Sequence, residues 1–422
     1  MRVLLINTSE RIGGAAIAAN RLMESLKNSG IKAKMLVRDK QTDQVTVVPL
    51  RHSWWRLWQF LWERVVIWSA NRFKKHNLFA VDIANTGTDI TSLPEFRQAD
   101  IVHLHWINQG MLSLGDIKKI IESGKPVVWT MHDMWPITGI CHHAQDCVKY
   151  QSQCSDCPLL YKGGSRHDLS YKVFRKKQKL YRDANITFVA CSRWLEGLAK
   201  KSALTIGHRV TNIPNPINTN LFHPAEKQPI RETFHLPLDK KLLLFSSMKI
   251  TDKKKGIDYL VQACRFLERK YPEFSHSIGV VVMGKESSQY ASLFPFPIYC
   301  IDYTKDEKKI AAVYNSVDLF VTPSLQENLP NTIAEAMSCG IPCVGFSTGG
   351  IPQMIDHLHN GYVARYKSAE DLADGIYWTL YDAENYEELS TEARRKALNT
   401  YAEQTVAMKY IGIYNQITEQ HA

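Results

Sequence analysis

Residues 318–350 read D-L-F-V-T-P-S-L-Q-E-N-L-P-N-T-I-A-E-A-M-S-C-G-I-P-C-V-G-F-S-T-G-G. Asp318 to Val321 is an apolar run of strand length, broken by Pro323 and Ser324. Gln326-Glu327-Asn328 is polar loop, and Pro330 fits a first helical turn, where its missing N–H costs nothing. Asn331 to Ser338 favours helix, Gly340 stops it, and Pro342 to Phe346 is a second strand. The order strand, loop, helix, strand is the repeating unit of a parallel α/β sheet.

Two carboxylates bracket this unit. Glu327 lies on the loop beyond a strand's carboxyl end, where open α/β sheets bind ligands, and Glu335 lies within the helix. A carboxylate accepts hydrogen bonds from vicinal hydroxyls, and the helix amino end near Asn328 to Asn331 can receive hydroxyl oxygens or phosphate. Taken alone, both are ordinary solvated glutamates. In context, E-x7-E followed by A-M-S-C-G-I-P-C-V resembles the signature of the family 4 retaining glycosyltransferases of bacterial polysaccharide type. That family has the GT-B fold, two Rossmann-like domains facing a cleft. The resemblance implies that Glu327 touches the donor sugar together with the backbone of Asn328 and Leu329, and that Glu335 holds the nucleotide ribose.

Bulk properties agree with an enzyme of this size. The 422 residues allow two or three domains, 45% hydrophobic content supplies real cores, and the net charge of +10 points to nucleic acid, anionic lipid or phosphorylated substrates. No basic run is long enough for a disordered arm, and no nucleic-acid partner is expected. M-R-V-L-L-I-N opens as a strand rather than a signal peptide. No apolar run reaches the roughly 18 residues of a spanning helix. The reading is a cytoplasmic protein with reduced thiols.

In the first half, Val3 to Ile6 is a buried strand and Gly13-Gly14 opens a helix through about Lys27. The pair is not G-x-G-x-x-G, so a dinucleotide site is rejected. It is either a tight turn or a place where a ligand approaches backbone N–H groups. The family has a similar pair near the donor diphosphate, which implies donor contact at Gly13 and Gly14. Asp100 to His105 is strand-like, Met111 to Ser123 is expected to be helical, and Pro126 to Thr130 is a strand running into Met131-His132-Asp133. A strand followed by T-x-H resembles the site where a histidine contacts the transferred sugar, so His132 is placed in the active site. His103 and His105 alternate along their strand and share one face, which is expected to be core.

Cys141, Cys147, Cys154 and Cys157 form C-x5-C-x6-C-x2-C. In a reduced compartment that spacing fits a structural tetrahedral zinc, with disulfides or free thiols as alternatives. Four cysteines would leave no open position for chemistry. Residues 52–75, H-S-W-W-R-L-W-Q-F-L-W-E-R-V-V-I-W-S-A-N-R-F-K-K, read as an amphipathic helix. Trp54, Leu57, Trp58, Leu61, Trp62, Val65 and Trp68 share one side, with Arg56, Gln59, Glu63 and Ala70 opposite. Arg51, Arg56, Arg64, Arg72, Lys74 and Lys75 outnumber the single acid Glu63. Such a face either packs on the sheet or rests on an anionic membrane. The basic segment Leu169 to Arg182 leans the expectation toward membrane.

Ile213-Pro214-Asn215-Pro216-Ile217-Asn218 reads as the joint between halves, similar to the family's linker with Asn218 in place of Asp. The expected domains are an N-terminal acceptor domain over 1–213, a donor domain over 214–400, and a helix over 401–422 that crosses back to the first. In the second half, Ser247 to Lys255 is expected to be loop carrying S-M-K-I-T-D-K-K-K-G. Cations there would offset charge on a leaving diphosphate. Lys255-Gly256 matches the family's K-G pair. Lys249 stands where the family presents Arg, a departure, because Lys lacks the bidentate fork.

The resemblance therefore implies a retaining transfer of sugar from a nucleotide-sugar to a hydroxyl of a glycan or lipid-linked acceptor in polysaccharide biosynthesis. The leaving phosphate would take the acceptor's proton on the same face. No D-x-D motif is placed for a catalytic metal, so metal independence is expected. A non-catalytic carbohydrate- or nucleotide-binding protein and a nucleotide-sugar epimerase on the same fold are the alternatives. The expected location is the cytoplasm, at the inner face of the cytoplasmic membrane.

Overall fold

Runs of buried aliphatic residues build two parallel sheets in a computed structural model of the chain. The structure describes residues 1–50, 53–382 and 386–419. Arg51 lies outside the described residues, as do the side chains of Trp55 and Arg56. The chain divides into two compact units, Met1–Pro216 with the segment from Val406 onward, and Ile217–Thr405.

The first unit holds β1 (Arg2–Ser9), β2 (Lys32–Asp39), β3 (Val47–Pro49), β4 (Ile101–Leu104), β5 (Val127–Met131), β6 (Ile186–Ala190) and β7 (Arg209–Asn212). They pair in parallel in the order β3-β2-β1-β4-β5-β6-β7. Alternate residues feed opposite faces. Val3 and Leu5 pack with Tyr410, Ile413 and Tyr414 of the helix Glu403–Glu419, whereas Leu4 and Ile6 pack with Leu104, Trp129 and Met131.

The second unit holds β8 (Lys241–Lys249), β9 (Ile278–Lys285), β10 (Ile298–Ile301), β11 (Leu319–Thr322), β12 (Cys343–Phe346) and β13 (Gly361–Ala364). Its order is β10-β9-β8-β11-β12-β13, again parallel throughout. Each sheet thus reverses direction between its first and fourth strands, the Rossmann arrangement that opens a crevice at the strands' carboxyl ends. In the first unit the reversal lies between β1 and β4, and in the second between β8 and β11.

The helix Asn331–Ser338 has the expected bounds, with Pro330 just before it as its N-cap residue. Two expectations are corrected. The helix expected from Met111 runs Leu114–Glu122, because Ser113 caps it in a box with Asp116: the Ser113 hydroxyl accepts from the Asp116 N–H, and the Asp116 carboxylate accepts from the Ser113 N–H. The loop expected from Ser247 is still strand as far as Lys249, with an irregularity in its pairing to β9 between Ser246 and Lys249. Among the described residues, no helix is long and apolar enough to cross a membrane.

Candidate functional site

In the second unit three loops leave the carboxyl ends of β8, β11 and β12, and hydrogen bonds stitch them together. The Leu325 N–H donates to the Lys254 carbonyl at 2.8 Å, and the Gly350 N–H donates to the Asn328 carbonyl at 2.7 Å. Gly349 has φ +55°, and a Cβ there would lie 1.7 Å from the Glu327 carbonyl oxygen. Only glycine lets the two backbones approach so closely. Within this frame Lys255 and Glu327 form an ion pair, both half-buried. The Glu327 carboxylate raises the Lys255 pKa against the opposing effect of burial. Two residues assigned to the donor are therefore brought together across 72 positions of sequence.

Glu335 is buried, at 7% exposure, and one of its oxygens accepts a 3.1 Å hydrogen bond from the Tyr314 hydroxyl. It is no solvated surface glutamate. Burial first, and then Glu335, push the Tyr314 pKa well up, so the phenol stays a donor. Leu329 is buried and Asn328 half-buried beside the helix amino end. Lys249 is exposed and lies 3.7 Å from Glu286. A pocket lined by Ser347, Pro352, Asp356, His357, Val363 and Arg365 opens from the third loop. Asp318, by contrast, is structural: it is buried and accepts from Lys227 at 2.5 Å, from Arg231 at 2.7 Å and from the Leu242 N–H at 2.7 Å.

In the first unit, Gly13 stands before the helix Gly14–Asn28 with φ +89° and nothing within 4 Å of where a Cβ would be. The backbone conformation, not crowding, calls for glycine, and the space in front of it is open. His132 follows β5 directly. Its Nε2 shares a 3.0 Å hydrogen bond with His105 Nδ1, and its Nδ1 lies 3.5 Å from Cys191 Sγ. Both ring nitrogens thus face protein groups, which sequence reasoning did not foresee. Burial lowers the pKa of His132 to about 4 and of His103 to about 3, and holds His105 well below 6.5. All three rings are neutral, so His132 is not a general acid at neutral pH. His103 and His105 do face the core: His103 shares 2.7 Å hydrogen bonds with Tyr414 and Thr130, and Thr130 shares one of 2.8 Å with Tyr410.

The residue after His132 anchors a second network that spacing did not reveal. Asp133 accepts from Trp106 Nε1 at 2.8 Å and from the Trp135 N–H at 2.8 Å, and pairs with His142 Nδ1 at 2.7 Å. Burial raises the Asp133 pKa, but His142 and these donors outweigh it and hold the group ionised. His142 Nε2 reaches Asp82 at 2.5 Å, and Asp82 pairs with Arg64.

Cys141, Cys154 and Cys157 are buried and Cys147 half-buried, all as free thiols close enough to influence one another electrostatically. Burial pushes Cys141 and Cys154 up to about 12 and Cys157 up to about 11. Among the described residues, no three His, Cys, Asp or Glu side chains stand in positions that would hold a metal ion.

Comparison with known proteins decides the family. Residues 12–221 match the model of Glycosyltransferase Family 4, and residues 239–382 that of Glycosyl transferases group 1. The chain belongs to glycosyltransferase family 4. This family 4 chain is 22% identical over 342 residues, 78% of its length and 78% of the relative's, to an Escherichia coli K12 protein named as the colanic acid biosynthesis glycosyl transferase WcaC. It is 28% identical over 202 residues to a Haemophilus influenzae glycosyltransferase, a match spanning 46% of this chain and about half, 53%, of that protein. The solved structure of Anabaena HepE with UDP-glucose superposes with a TM-score of 0.63 at 15% identity, covering 99% of this chain and 100% of that one. That likeness shows the GT-B fold.

Proposed function

We propose that this family 4 chain transfers a sugar, with retention, from a nucleotide-sugar to a hydroxyl of a glycan or lipid-linked acceptor in polysaccharide biosynthesis. The observation that carries the reading is the Lys255–Glu327 pair, held by the Gly349 loop at the reversal point of the second sheet. A cation fixed there faces the diphosphate and offsets its charge as the glycosidic bond breaks. Its partner carboxylate, with the backbone of Asn328 and Leu329, receives the sugar hydroxyls. Glu335 takes the ribose, with Tyr314 holding its second role as a donor to the carboxylate. Lys249 supports the diphosphate from solvent, and donor contact is assigned to Gly13, which has open space in front of it, and to Gly14. His132, a neutral imidazole held by His105, contacts the sugar without transferring a proton to it. The leaving phosphate accepts the acceptor's proton.

Family membership supports the reaction class. WcaC is named for colanic acid biosynthesis, and HepE binds UDP-glucose. Catalysis is assigned to no metal. The four clustered cysteines are assigned a structural zinc, which would draw the thiols together with release of their protons.

The test is a thermal-shift series against UDP, GDP, ADP and their sugars. The matching donor at one hundred times its Kd stabilises the fold by about 2.7 kcal/mol. Donor turnover only with a glycan acceptor present supports transfer. No shift with any nucleotide, or conversion of the donor sugar without acceptor, overturns it.

A further inference from the structure

The helix Ser53–Ala70 is built inside out. Its inward side is mostly polar. Gln59, Glu63 and Arg64 are buried there, with Ile67. Gln59 Nε2 donates to the Gly87 carbonyl at 2.5 Å, and the Gln59 carbonyl accepts from Thr86 at 2.9 Å. Glu63 accepts from the N–H groups of Ile83 and Ala84 at 2.8 and 2.7 Å. Arg64 donates to the carbonyls of Leu78 and Val81 at 2.7 and 3.1 Å and pairs with Glu63 and Asp82. These bonds fix the helix's rotation. A helix that packed its apolar stripe on the sheet would turn the other way.

The outward side carries Trp54 at 64% exposure, Leu57 at 59%, Trp58 at 62%, Leu61 at 42%, Trp62 at 56% and Val65 at 47%. Past the helix, Arg72 and Phe73 adopt left-handed backbone conformations, φ 53° and 61°. These seat the exposed Phe73 ring edge-on against Trp68, with centroids 4.8 Å apart, so the aromatic patch extends beyond the helix. Arg72, Lys74 and Lys75 beside it are exposed. The helix's single acid, Glu63, is buried and engaged, so among the described side chains the outer face carries no negative charge.

We propose that this face docks the chain on an anionic lipid surface. Indole rings combine an apolar body with one polar N–H and settle at the headgroup boundary, and flanking cations meet lipid phosphate. Charge complementarity favours lipid over a second copy of this chain, because two copies would bring the same basic patches together. Arg64, counted among the surface cations in the sequence, serves the anchoring side instead. The proposal goes beyond sugar transfer and does not depend on it.

The test uses the full chain in co-sedimentation with vesicles of phosphatidylcholine alone and of phosphatidylcholine mixed with phosphatidylglycerol. Binding is expected to the mixed vesicles only, falling several-fold as salt rises. Trp58→Ser with Trp62→Ser should lower partitioning about tenfold or more. The rings are exposed, so circular dichroism melting should hold, and thermal shift with nucleotide should be unchanged. Lys74→Glu with Lys75→Glu should abolish the preference for phosphatidylglycerol while leaving the fold intact. Equal binding to both vesicle types, no binding at low salt, or a dimer in sedimentation velocity that the Trp variants convert to monomer would each overturn the proposal.

Discussion

The two units treat charge in opposite ways. In the second, Lys255 and Glu327 stand on loops at the sheet's carboxyl edge, within reach of solvent. In the first, Glu63, Arg64 and Asp82 form a buried chain that half-buried His142 and Asp133 extend, while tryptophans of Ser53–Ala70 face out. A half-buried pair that keeps contact with water can exchange its partner for a ligand at less cost than a fully buried one, because water and the ligand compensate the charge left behind. A buried chain cannot, because each group leaves an uncompensated charge if its neighbour is removed. The same residue types are therefore proposed as a ligand site in one unit and serve as architecture in the other.

The sharpest way to break this contrast is Arg64→Leu. It should cost about 3–5 kcal/mol of folding stability, read by denaturant unfolding, because Asp82 and Glu63 lose their cation in a buried setting. Glu327→Gln should leave stability nearly unchanged and lower turnover about 100- to 1,000-fold, read by donor consumption with acceptor present. If the two variants exchange these signatures, the assignment of roles is reversed.

Acid probes the first unit next. His103 and His132 have folded pKa values of about 3 and about 4, below the unfolded value. The unfolded chain therefore binds more protons, and stability is lost as pH falls from about 6.5 toward 4. At pH 5 each neutral histidine should cost about 2 kcal/mol relative to neutral pH, measured by the unfolding midpoint across pH. A flat profile between pH 7 and 5 would mean that the rings are solvated.

Smaller effects refine the second unit. Lys255→Ala should reduce turnover about tenfold more than Lys249→Ala, since only Lys255 is paired with Glu327. The double variant should be non-additive if both face one diphosphate. For the cysteines, metal analysis should return about one zinc per chain, lost in Cys154→Ser with local loosening and unchanged donor binding. A metal-free, fully stable preparation with titratable thiols would leave the four cysteines as a packed cluster.

Much of the fold was legible because punctuation is local. Pro330 and Gly340 bound the helix Asn331–Ser338, and buried apolar runs marked nearly every central strand. The short edge strands β3 and β7 escaped, since Val47–Pro49 ends in proline and Arg209–Asn212 has no fully buried residue. At the candidate site, residue types were readable but partners were not. Nothing near Glu327 in sequence names Lys255, and nothing near His132 names Cys191. Periodicity identified which residues of Ser53–Ala70 share a face, yet not which face turns inward. That choice is made by Ile83, Ala84 and Asp82, far enough along the chain that no window spans both.

The helix Glu403–Glu419 has a consequence for how the molecule is made. Tyr410 and Tyr414 complete the core of the first sheet and hydrogen-bond to Thr130 and His103, although the whole of Ile217–Thr405 lies between them and the body they complete. On the ribosome Met1–Pro216 emerges before Ile217–Thr405 but lacks this helix until all of Ile217–Thr405 has been made. Ile217–Thr405 emerges later and contains all its own strands. The earlier-made unit is thus the later one to close, and in the interval the face of His103, Val3, Leu5 and Val128 lacks the part of its cover that Tyr410, Ile413 and Tyr414 supply, the period in which a chaperone would find most to hold.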